Sequence, residues 1–475
     1  MPHRHQVVPR FRRHSKAVVR AVPVALGAPP PKPNRAARAG FGEKDGDTAE
    51  VLTGKHRRLL LRCGADMEAA GALAAARLHA VPHLAIDARG WSPADAARLA
   101  AGATLRAWRF RRFITRPDPA PHLERLDILV DEPRAARAAW AALHPGVAGT
   151  LFARDLVVEP GNTLTPALFA TRLHDLVQHG VTVEVLDAAR LEAEGFGGIL
   201  AVGRASANPP CLAVLRWAGT LRAAPVAFVG KGITFDTGGV CIKPGQGMWE
   251  MRADMAGAAA CAGAMLALAL RRSPSPAVAV LPLAENAIGA DSYRPGDVLR
   301  MRSGSTVEVV DTDAEGRLVL ADALAWAVES ERPQAVIDLA TLTGSIITAL
   351  GHEQAGLFSN SDVLAAHTAS AGAAVGERAW RMPLSAAYGE ALDSDIADIR
   401  HCSEGRMQPD ACHAAHFLHG FVADTPWVHL DIAGVEGHEK ASDRHPAGPS
   451  GWGARLLDRL VEDRFEDPAR EHRAA

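Results

Sequence analysis

The chain has 475 residues, of which 48% are apolar and 22% are charged, and its formal net charge at pH 7 is −2. This is an ordinary globular composition, which excludes collagen-like, coiled-coil and mainly disordered chains, and the absence of a run of about 18 uninterrupted apolar residues predicts no membrane span. Six scattered cysteines without a CxxC pair predict neither a disulfide framework nor a thiolate zinc site, and they favour a cytoplasmic protein.

Residues 1–50 are rich in Arg, Pro and Ala, with little hydrophobic periodicity, which predicts a flexible basic tail. A targeting peptide and an over-long start of the chain are the alternatives. Residues 1–42 contain nine Lys or Arg and no Asp or Glu, which leaves 43 basic and 54 acidic residues for the rest. An acidic body disfavours nucleic-acid binding, and the tail alone is a weak signal for it.

The remaining sequence predicts an α/β protein with two domains. Residues 51–150 alternate short apolar runs with Ala-rich helical stretches, which indicates a small N-terminal α/β domain. Residues 151–475 are expected to form a larger layered αβα domain with a mixed central sheet. Its predicted elements are strands at 181–187, 225–230, 277–283, 335–340 and 427–434 and helices at 254–272 and 317–330.

Lysine is rare in this chain, with only seven lysines among 52 basic residues. Between residues 56 and 439 the only lysines are Lys231 and Lys243. A site whose chemistry requires lysine would keep it even in a chain that favours arginine, because a buried lysine can lose its proton and an arginine cannot. Chance survival of two lysines is the alternative, which we rank second because of the residues around them.

Three segments of the sequence carry the carboxylates that we group with these lysines. Residues 230–244 carry Asp236 beside both lysines, residues 251–257 place Asp254 before an Ala-rich helix, and residues 311–318 read DTDAEGRL. If the last segment is extended, Asp311, Asp313 and Glu315 share one face. The last segment alone is also typical of a solvated turn or of an incomplete calcium-binding loop.

Four of these carboxylates suffice for two divalent ions with bridging ligands: Asp236, Asp254, Asp313 and Glu315. Clustered acids repel unless cations neutralise them, and oxygen ligands suit Mg, Mn or Zn. Two ions about 3.5–4 Å apart activate a water and stabilise an oxyanion. Arg317, near the start of the next helix, is placed to hold an anion beside that water.

These segments resemble the signatures of the leucyl aminopeptidase family, also called cytosol aminopeptidases or peptidase family M17. The resemblance is carried by 229–239 (VGKGITFDTGG), 311–318 (DTDAEGRL) and 338–344 (DLATLTG). Further similar segments are 162–166, 285–286, 293–297 and 427–434, in family order over about residues 150–460. The resemblance implies a metal-dependent hydrolase that removes leucine-like N-terminal residues from peptides with a two-metal-activated water. It also implies a cytoplasmic homohexamer.

By position, the resemblance implies five ligands for two divalent ions, Mn or Zn: Lys231, Asp236, Asp254, Asp313 and Glu315. Lys231 would bind as a neutral amine. Lys243 would polarise the scissile carbonyl, and Arg317 would hold a bicarbonate that acts as general base. The pocket for the N-terminal side chain of the substrate would be walled by Met251, Thr341 and Gly344.

The chain departs from the family pattern at Thr237, at Ala256, in a weakly matching N-terminal domain and, closer to the expected chemistry, in two further places. Asp311 stands where Asn is usual. If its side chain points toward the site, it would add negative charge there; if the side chain points away, the difference would have no effect. Residues 400–412 (RHCSEGRMQPDAC) lack the usual Gly-rich loop. The nearby histidines are interpreted as structural: His401, His413, His416, His419 and His429.

Two other functions are compatible with parts of the sequence. The first is a non-catalytic hexameric DNA-binding accessory protein of the same fold, which the complete set of implied metal and catalytic residues disfavours. The second is another two-metal hydrolase such as a phosphatase. A phosphatase would need several His ligands or phosphate-binding loops, and it leaves Lys231 unexplained.

Overall fold

The computed structural model describes residues 6–30, 39–53, 56–117, 120–405 and 408–467. The chain divides into two compact units. The first unit is Met1–Val147 with His438–Gly448, and the second is Ala148–Gly437 with Pro449–Ala475. The division lies close to the predicted boundary at 150, but the first unit also takes a segment from late in the chain.

The first unit contains a six-stranded sheet. Its strands are β1 Pro9–Arg12, β2 Val19–Ala25, β3 Thr48–Thr53, β4 His56–Cys63, β5 His83–Asp87 and β6 Arg125–Leu129. Their order is β1-β6-β5-β2-β4-β3, and every neighbouring pair is parallel except β3 with β4. The helices are α1 Met67–Arg77, α2 Pro93–Arg106 and α3 Pro133–Val157, the last of which continues into the second unit.

Helices α1 and α2 approach each other closely because both carry a glycine at the contact. A Cβ on Gly71 would lie 2.0 Å from the Leu99 carbonyl oxygen, and one on Gly102 would lie 1.8 Å from the Glu68 carbonyl oxygen. Only glycine therefore permits this spacing. The Ala-rich composition predicted these helices, and the two glycines determine how they pack.

The structure differs from the flexible tail expected for residues 1–50. Strand β1 pairs with β6, and β2 lies between β4 and β5. Ser15 holds the segment between β1 and β2, because its hydroxyl donates to the buried Asp127 carboxylate. The same carboxylate lies 2.8 Å from His83 Nε2. These strands depend on partners far along the chain, so local periodicity does not reveal them. Residues 1–5 and 31–38 of the predicted tail lie outside the described residues.

The second unit is built on a nine-stranded mixed sheet, as predicted. Its strands are β7 Thr182–Leu186, β8 Cys211–Trp217, β9 Val226–Gly230, β10 Gly232–Asp236, β11 Ala277–Asn286, β14 Ala335–Ala340, β15 Ala355–Ser359, β16 Ala379–Arg381 and β18 Trp427–Asp431. The order is β16-β15-β18-β14-β9-β11-β8-β7, with β10 paired to β11. The remaining short strands are β12 Val298–Arg300, β13 Thr306–Glu308, β17 Ile399–Arg400, β19 Gly437–His438 and β20 Gly448–Pro449.

Helices cover both faces of this sheet and complete three layers. They are α4 Pro166–Leu173, α5 Ala188–Ala193, α6 Gly197–Gly203, α7 Ala256–Arg271, α8 Glu315–Glu331, α9 Gly344–Leu350, α10 Asp362–Val375, α11 Asp410–His419 and α12 Ala454–Leu460. Helices α7, α10 and α12 share one hydrophobic core, and α6, α8 and α11 share another. The predicted layered αβα architecture is confirmed.

One segment of this unit is long and apolar enough to cross a bilayer. It is Met248–Arg271, which contains α7. The most apolar 18-residue stretch of this segment is 89% buried inside the protein. Such burial is typical of a core helix, and it is consistent with the packing of α7 against the sheet.

Helix α8 also caps a neighbouring helix. The fully buried Asp322 carboxylate accepts hydrogen bonds from the backbone N–H groups of Gly198 at 2.7 Å and Ile199 at 3.0 Å, in the first turn of α6, and from Arg302 at 2.8 Å. Buried N–H groups need acceptors, and helix N-termini provide several without an internal partner. Asp322 therefore links α6, α8 and the β12–β13 hairpin.

We expect Asp322→Ala to lower the free energy of unfolding by about 3 to 5 kcal/mol, because three buried N–H groups lose their acceptor. Urea denaturation followed by tryptophan fluorescence measures the effect. The matched control is Glu329→Ala, on the same helix, whose exposed carboxylate pairs with Arg302; it should change stability by less than about 1 kcal/mol. Equal effects of the two substitutions would contradict the capping role.

Candidate metal centre

The carboxyl ends of neighbouring parallel strands bring the predicted site together. Strand β9 lies between β14 and β11 and runs parallel to both. Lys231 follows β9, Asp236 ends β10, and Thr341 follows β14. Parallel strands end at the same edge of a sheet, where α/β proteins commonly place their sites. The fold, and not proximity in the sequence, therefore assembles these residues.

Lys231 is buried in a carboxylate pocket. Its Nζ atom lies 2.8 Å from Asp254 Oδ1 and 2.9 Å from Glu315 Oε1, and it donates to the Thr341 carbonyl oxygen at 2.9 Å. The side chain is 4% exposed, and a Cβ on Gly316 would lie within 2.8 Å of its Nζ atom. The close fit explains why glycine follows Glu315 in the motif.

Lys243 lies beside the other half of the acidic group. Its Nζ atom is 2.8 Å from Asp236 Oδ2 and also contacts Asp313 Oδ1. Its side chain is 20% exposed, so it is the more accessible of the two lysines. Asp236 is held in place by Asn286, whose amide donates to Asp236 Oδ1 at 2.7 Å.

The acidic residues form a set that suits a cation. Ligand atoms of Asp236, Asp313 and Glu315 all lie within 4.8 Å of one another. Asp254 Oδ2 and Glu315 Oε2 are buried and, among the described residues, have no hydrogen-bond partner. Buried carboxylate oxygens are costly to leave without a partner. These two oxygens are therefore placed to bind a metal ion.

The charges in the cluster lead to the same conclusion. With every group ionised, the four carboxylates and two ammonium groups would give this largely buried site a formal charge of −2. Burial, together with neighbouring Asp236, raises the pKa of Asp313 to about 7. Burial disfavours the Lys231 ammonium, but Asp254, Glu315 and Asp236 outweigh it and raise the lysine pKa above its ordinary value. Divalent cations would relieve this excess charge.

Residues 311–314 of the acidic motif form a turn, and not the extended conformation considered from the sequence. Helix α8 begins at Glu315, and Asp311 Oδ1 accepts a hydrogen bond from the Asp313 backbone N–H at 2.9 Å. This side chain therefore shapes the turn, a role common for Asp and Asn. Asp313 and Glu315 converge because the chain turns between them, and Asp311 lies outside the group of three.

We expect Asp311→Asn to change kcat/KM less than about threefold, because an asparagine side-chain oxygen can accept the same hydrogen bond. Steady-state kinetics of the metal-loaded protein measures this. Asp311→Ala is the informative partner, since it removes the acceptor and should lower activity more than Asp311→Asn. A nearly inactive Asp311→Asn variant would show instead that the negative charge is required.

Arg317 lies in the first turn of α8 and is 2% exposed. Its guanidinium donates to the His401 carbonyl oxygen at 3.0 Å and to Asp410 Oδ1 at 2.8 Å. Asp410, which lies 93 residues away along the chain, is not among the site residues predicted from the sequence. The only signal for it was the unusual segment 400–412.

The three predicted pocket residues lie on separate elements. Met251 belongs to the 3-10 segment Met248–Ala253, directly before Asp254. Thr341 donates through its hydroxyl to Asp254 Oδ1 at 2.8 Å, so it also supports the acidic group. Gly344 begins α9, and a Cβ there would meet nothing within 4 Å. Open space at Gly344 is compatible with a pocket wall.

Other buried side chains support the site from behind. Asp431 accepts from the Leu342 backbone N–H at 3.2 Å and from the Thr343 hydroxyl at 2.6 Å, which fixes the loop after β14. His429 contacts Asp338 at 2.6 Å within the sheet, and the His401 ring lies 2.7 Å from the Asp311 carbonyl oxygen. Burial and the nearby Arg317 lower the pKa of His401 to about 4, so it is neutral at pH 7. Both histidines have structural contacts, as interpreted from the sequence.

Residues 151–458 match the cytosol aminopeptidase family, catalytic domain. The chain belongs to this family. A probable cytosol aminopeptidase of Methylobacterium radiotolerans is 47% identical over 380 residues, which cover 78% of this chain and 75% of the relative. Another, of Rhodopseudomonas palustris, is 46% identical over 378 residues, covering 79% and 76%.

Solved structures agree with this assignment to the cytosol aminopeptidase family. The cytosol aminopeptidase of Coxiella burnetii has a TM-score of 0.84 and 30% identity, covering 96% of this chain and 99% of that one. The bottromycin maturation enzyme BotP in complex with Mn has a TM-score of 0.85 and 34% identity, covering 94% and 99%. The chain is therefore a metal-dependent aminopeptidase acting on peptides, and nothing supports the DNA-binding alternative.

Proposed function

We propose that this aminopeptidase uses two divalent ions, Mn or Zn, to remove leucine-like N-terminal residues from peptides. The observation that carries the proposal is the buried cluster of four carboxylates and two lysines with excess negative charge. Cytoplasmic location and homohexameric assembly belong to the same proposal. The cytoplasmic location is supported by the names of the relatives, and the homohexamer rests on the resemblance to the family alone.

Five side chains would hold the ions. One ion would be bound by Lys231, Asp236, Asp254 and Glu315, and the other by Asp236, Asp313 and Glu315. When bound, such ions supply Lewis acidity and an activated water for attack on the first peptide bond. The Lys231 nitrogen lies within 2.9 Å of two of these carboxylates, which favour its ammonium form; bound divalent ions would neutralise them and allow the nitrogen to act as a neutral ligand. Manganese is favoured by the similar enzyme that was solved in complex with Mn.

The two lysines would have different roles. Lys231, with 4% of its side chain exposed, suits a ligand, whereas Lys243, with 20% exposed, suits a compact cation that faces the scissile carbonyl. Such a cation stabilises the oxyanion that develops during attack. Arg317 would hold the carboxylate-type anion that accepts the proton of the water.

The substrate would be bound by its N-terminal residue. Met251, Thr341 and Gly344 would enclose the N-terminal side chain, and the open space at Gly344 would admit a branched aliphatic group. The free amine of the peptide would bind one of the two metal ions, which places the first peptide bond beside the activated water. These features favour an exopeptidase that acts on leucine-like residues.

Hydrolysis of leucine p-nitroanilide tests this proposal. The chelator-treated protein is expected to be inactive and to regain activity with Mn or Zn, saturating at two ions per chain. Proline and aspartate p-nitroanilides serve as controls for side-chain preference. Activity that survives complete metal removal, or saturation at one ion, would contradict the two-metal site. Faster cleavage of the aspartate substrate would contradict the leucine-like preference.

A further inference from the structure

We propose that Asp410 itself supplies the carboxylate held by Arg317, so that this enzyme needs no free bicarbonate. The inference rests on the proposed function, in which Arg317 holds an anion beside the reacting water. It concerns this chain specifically, because Asp410 lies in segment 400–412, where the sequence departs from the family pattern.

The contact between the two residues is direct. One terminal nitrogen of the Arg317 guanidinium donates to Asp410 Oδ1 at 2.8 Å, and the other donates to the His401 carbonyl oxygen at 3.0 Å. Arg317 is 2% exposed and the Asp410 side chain is 37% exposed. A carboxylate on a buried guanidinium is a strong, charge-assisted pair.

The backbone holds Asp410 in this position. It is the first residue of α11, a helix that buries Ala411, Cys412 and Ala414 in the core of the second unit. The Ala411 backbone N–H donates to Ser345 Oγ at 2.8 Å, which attaches the start of α11 to α9. The carboxylate is therefore presented to Arg317 by a packed helix and not by an independent loop.

A free anion would have to compete with this arrangement. Bicarbonate and the Asp410 carboxylate carry the same charge and offer similar oxygens, but the side chain is tethered and has a high effective concentration. A second anion beside it would be repelled. The Arg317 Nε atom is buried and has no acceptor among the described residues, so a rival anion would have to bind there or to the remaining terminal N–H groups, close to the Asp410 carboxylate.

Anion binding can be measured without reference to catalysis. We expect 20 mM bicarbonate to leave the Tm of the purified wild-type protein unchanged relative to sodium chloride of equal ionic strength. In Asp410→Ala the Tm should rise by about 2 to 4 °C, because the freed guanidinium binds the anion. Glu404→Ala, which removes an exposed acid of the same segment, should behave as the wild type.

Three outcomes would overturn the proposal: a bicarbonate-dependent rise in Tm of the wild type, the same response in both alanine variants, or no response in Asp410→Ala. Asp410→Asn keeps the shape of the side chain while removing its charge. If Asp410→Ala does not fold, the same comparison is made with Asp410→Asn, and an unchanged Tm in that variant counts against the proposal.

Activity provides the second measurement. In degassed buffer the wild type should keep its rate on leucine p-nitroanilide, whereas Asp410→Ala should lose about tenfold or more and regain most of it with bicarbonate. A several-fold stimulation of the wild type by bicarbonate would contradict the inference. If every variant is inactive, the proposed function fails, and the Tm comparison still decides whether Asp410 occupies Arg317.

Discussion

Lys231→Arg is expected to lower kcat/KM by about 10³-fold or more, equivalent to about 4 kcal/mol of transition-state stabilisation. A guanidinium cannot lose its proton to become a ligand. An arginine side chain would also lack space, because Lys231 packs against Gly316 and its Nζ atom lies 2.8 Å from Asp254 Oδ1 and 2.9 Å from Glu315 Oε1. Steady-state kinetics and metal analysis of the purified variant should show both the lost activity and the loss of one ion per chain.

Lys440→Arg is the matched control for this substitution. Its side chain is 86% exposed, with the Nζ atom 4.0 Å from Glu439 Oε1, so the same chemical change should leave activity and metal content as in the wild type. Circular dichroism of Lys231→Arg distinguishes a lost ligand from a misfolded protein. A folded Lys231→Arg variant with two ions and normal turnover would disprove the role of Lys231.

Asp254→Ala is the second substitution with a large expected effect, a loss of about 10²-fold or more in kcat/KM together with weaker metal binding. The carboxylate accepts from Lys231 and Thr341 through one oxygen, while its other oxygen is buried without a partner among the described residues. Removing the carboxylate would take away one proposed ligand and leave the Lys231 ammonium with less compensating charge. Isothermal titration calorimetry with Mn or Zn measures the change in metal affinity.

Asp254→Asn separates the two contributions of this residue. Its side-chain oxygen can still accept from Thr341, but the amide carries no charge and is a poor ligand. We expect Asp254→Asn to fold as well as the wild type and yet to be nearly as inactive as Asp254→Ala. If Asp254→Asn retains normal metal affinity, Asp254 has a structural role and is not a ligand.

The sequence by itself determined the chemistry of the site. Lys231, Asp236 and Asp254 lie in short segments rich in glycine, lysine and carboxylates, and these are the residue types that a site for divalent cations requires. The buried strands β9, β11 and β14 were predicted as well, since each is a continuous apolar run. Family membership followed from these segments and was confirmed.

Only the tertiary structure decided the features that depend on distant partners. Strands β1 and β2 form because they pair with strands later in the chain, and no periodicity in a basic, Pro-rich segment indicates this. The acidic motif is a turn and not a strand because Asp311 bonds to the Asp313 N–H. Asp410 meets Arg317 across 93 residues of sequence. Local patterns identify residue types and elements, whereas long-range packing determines which side chains meet.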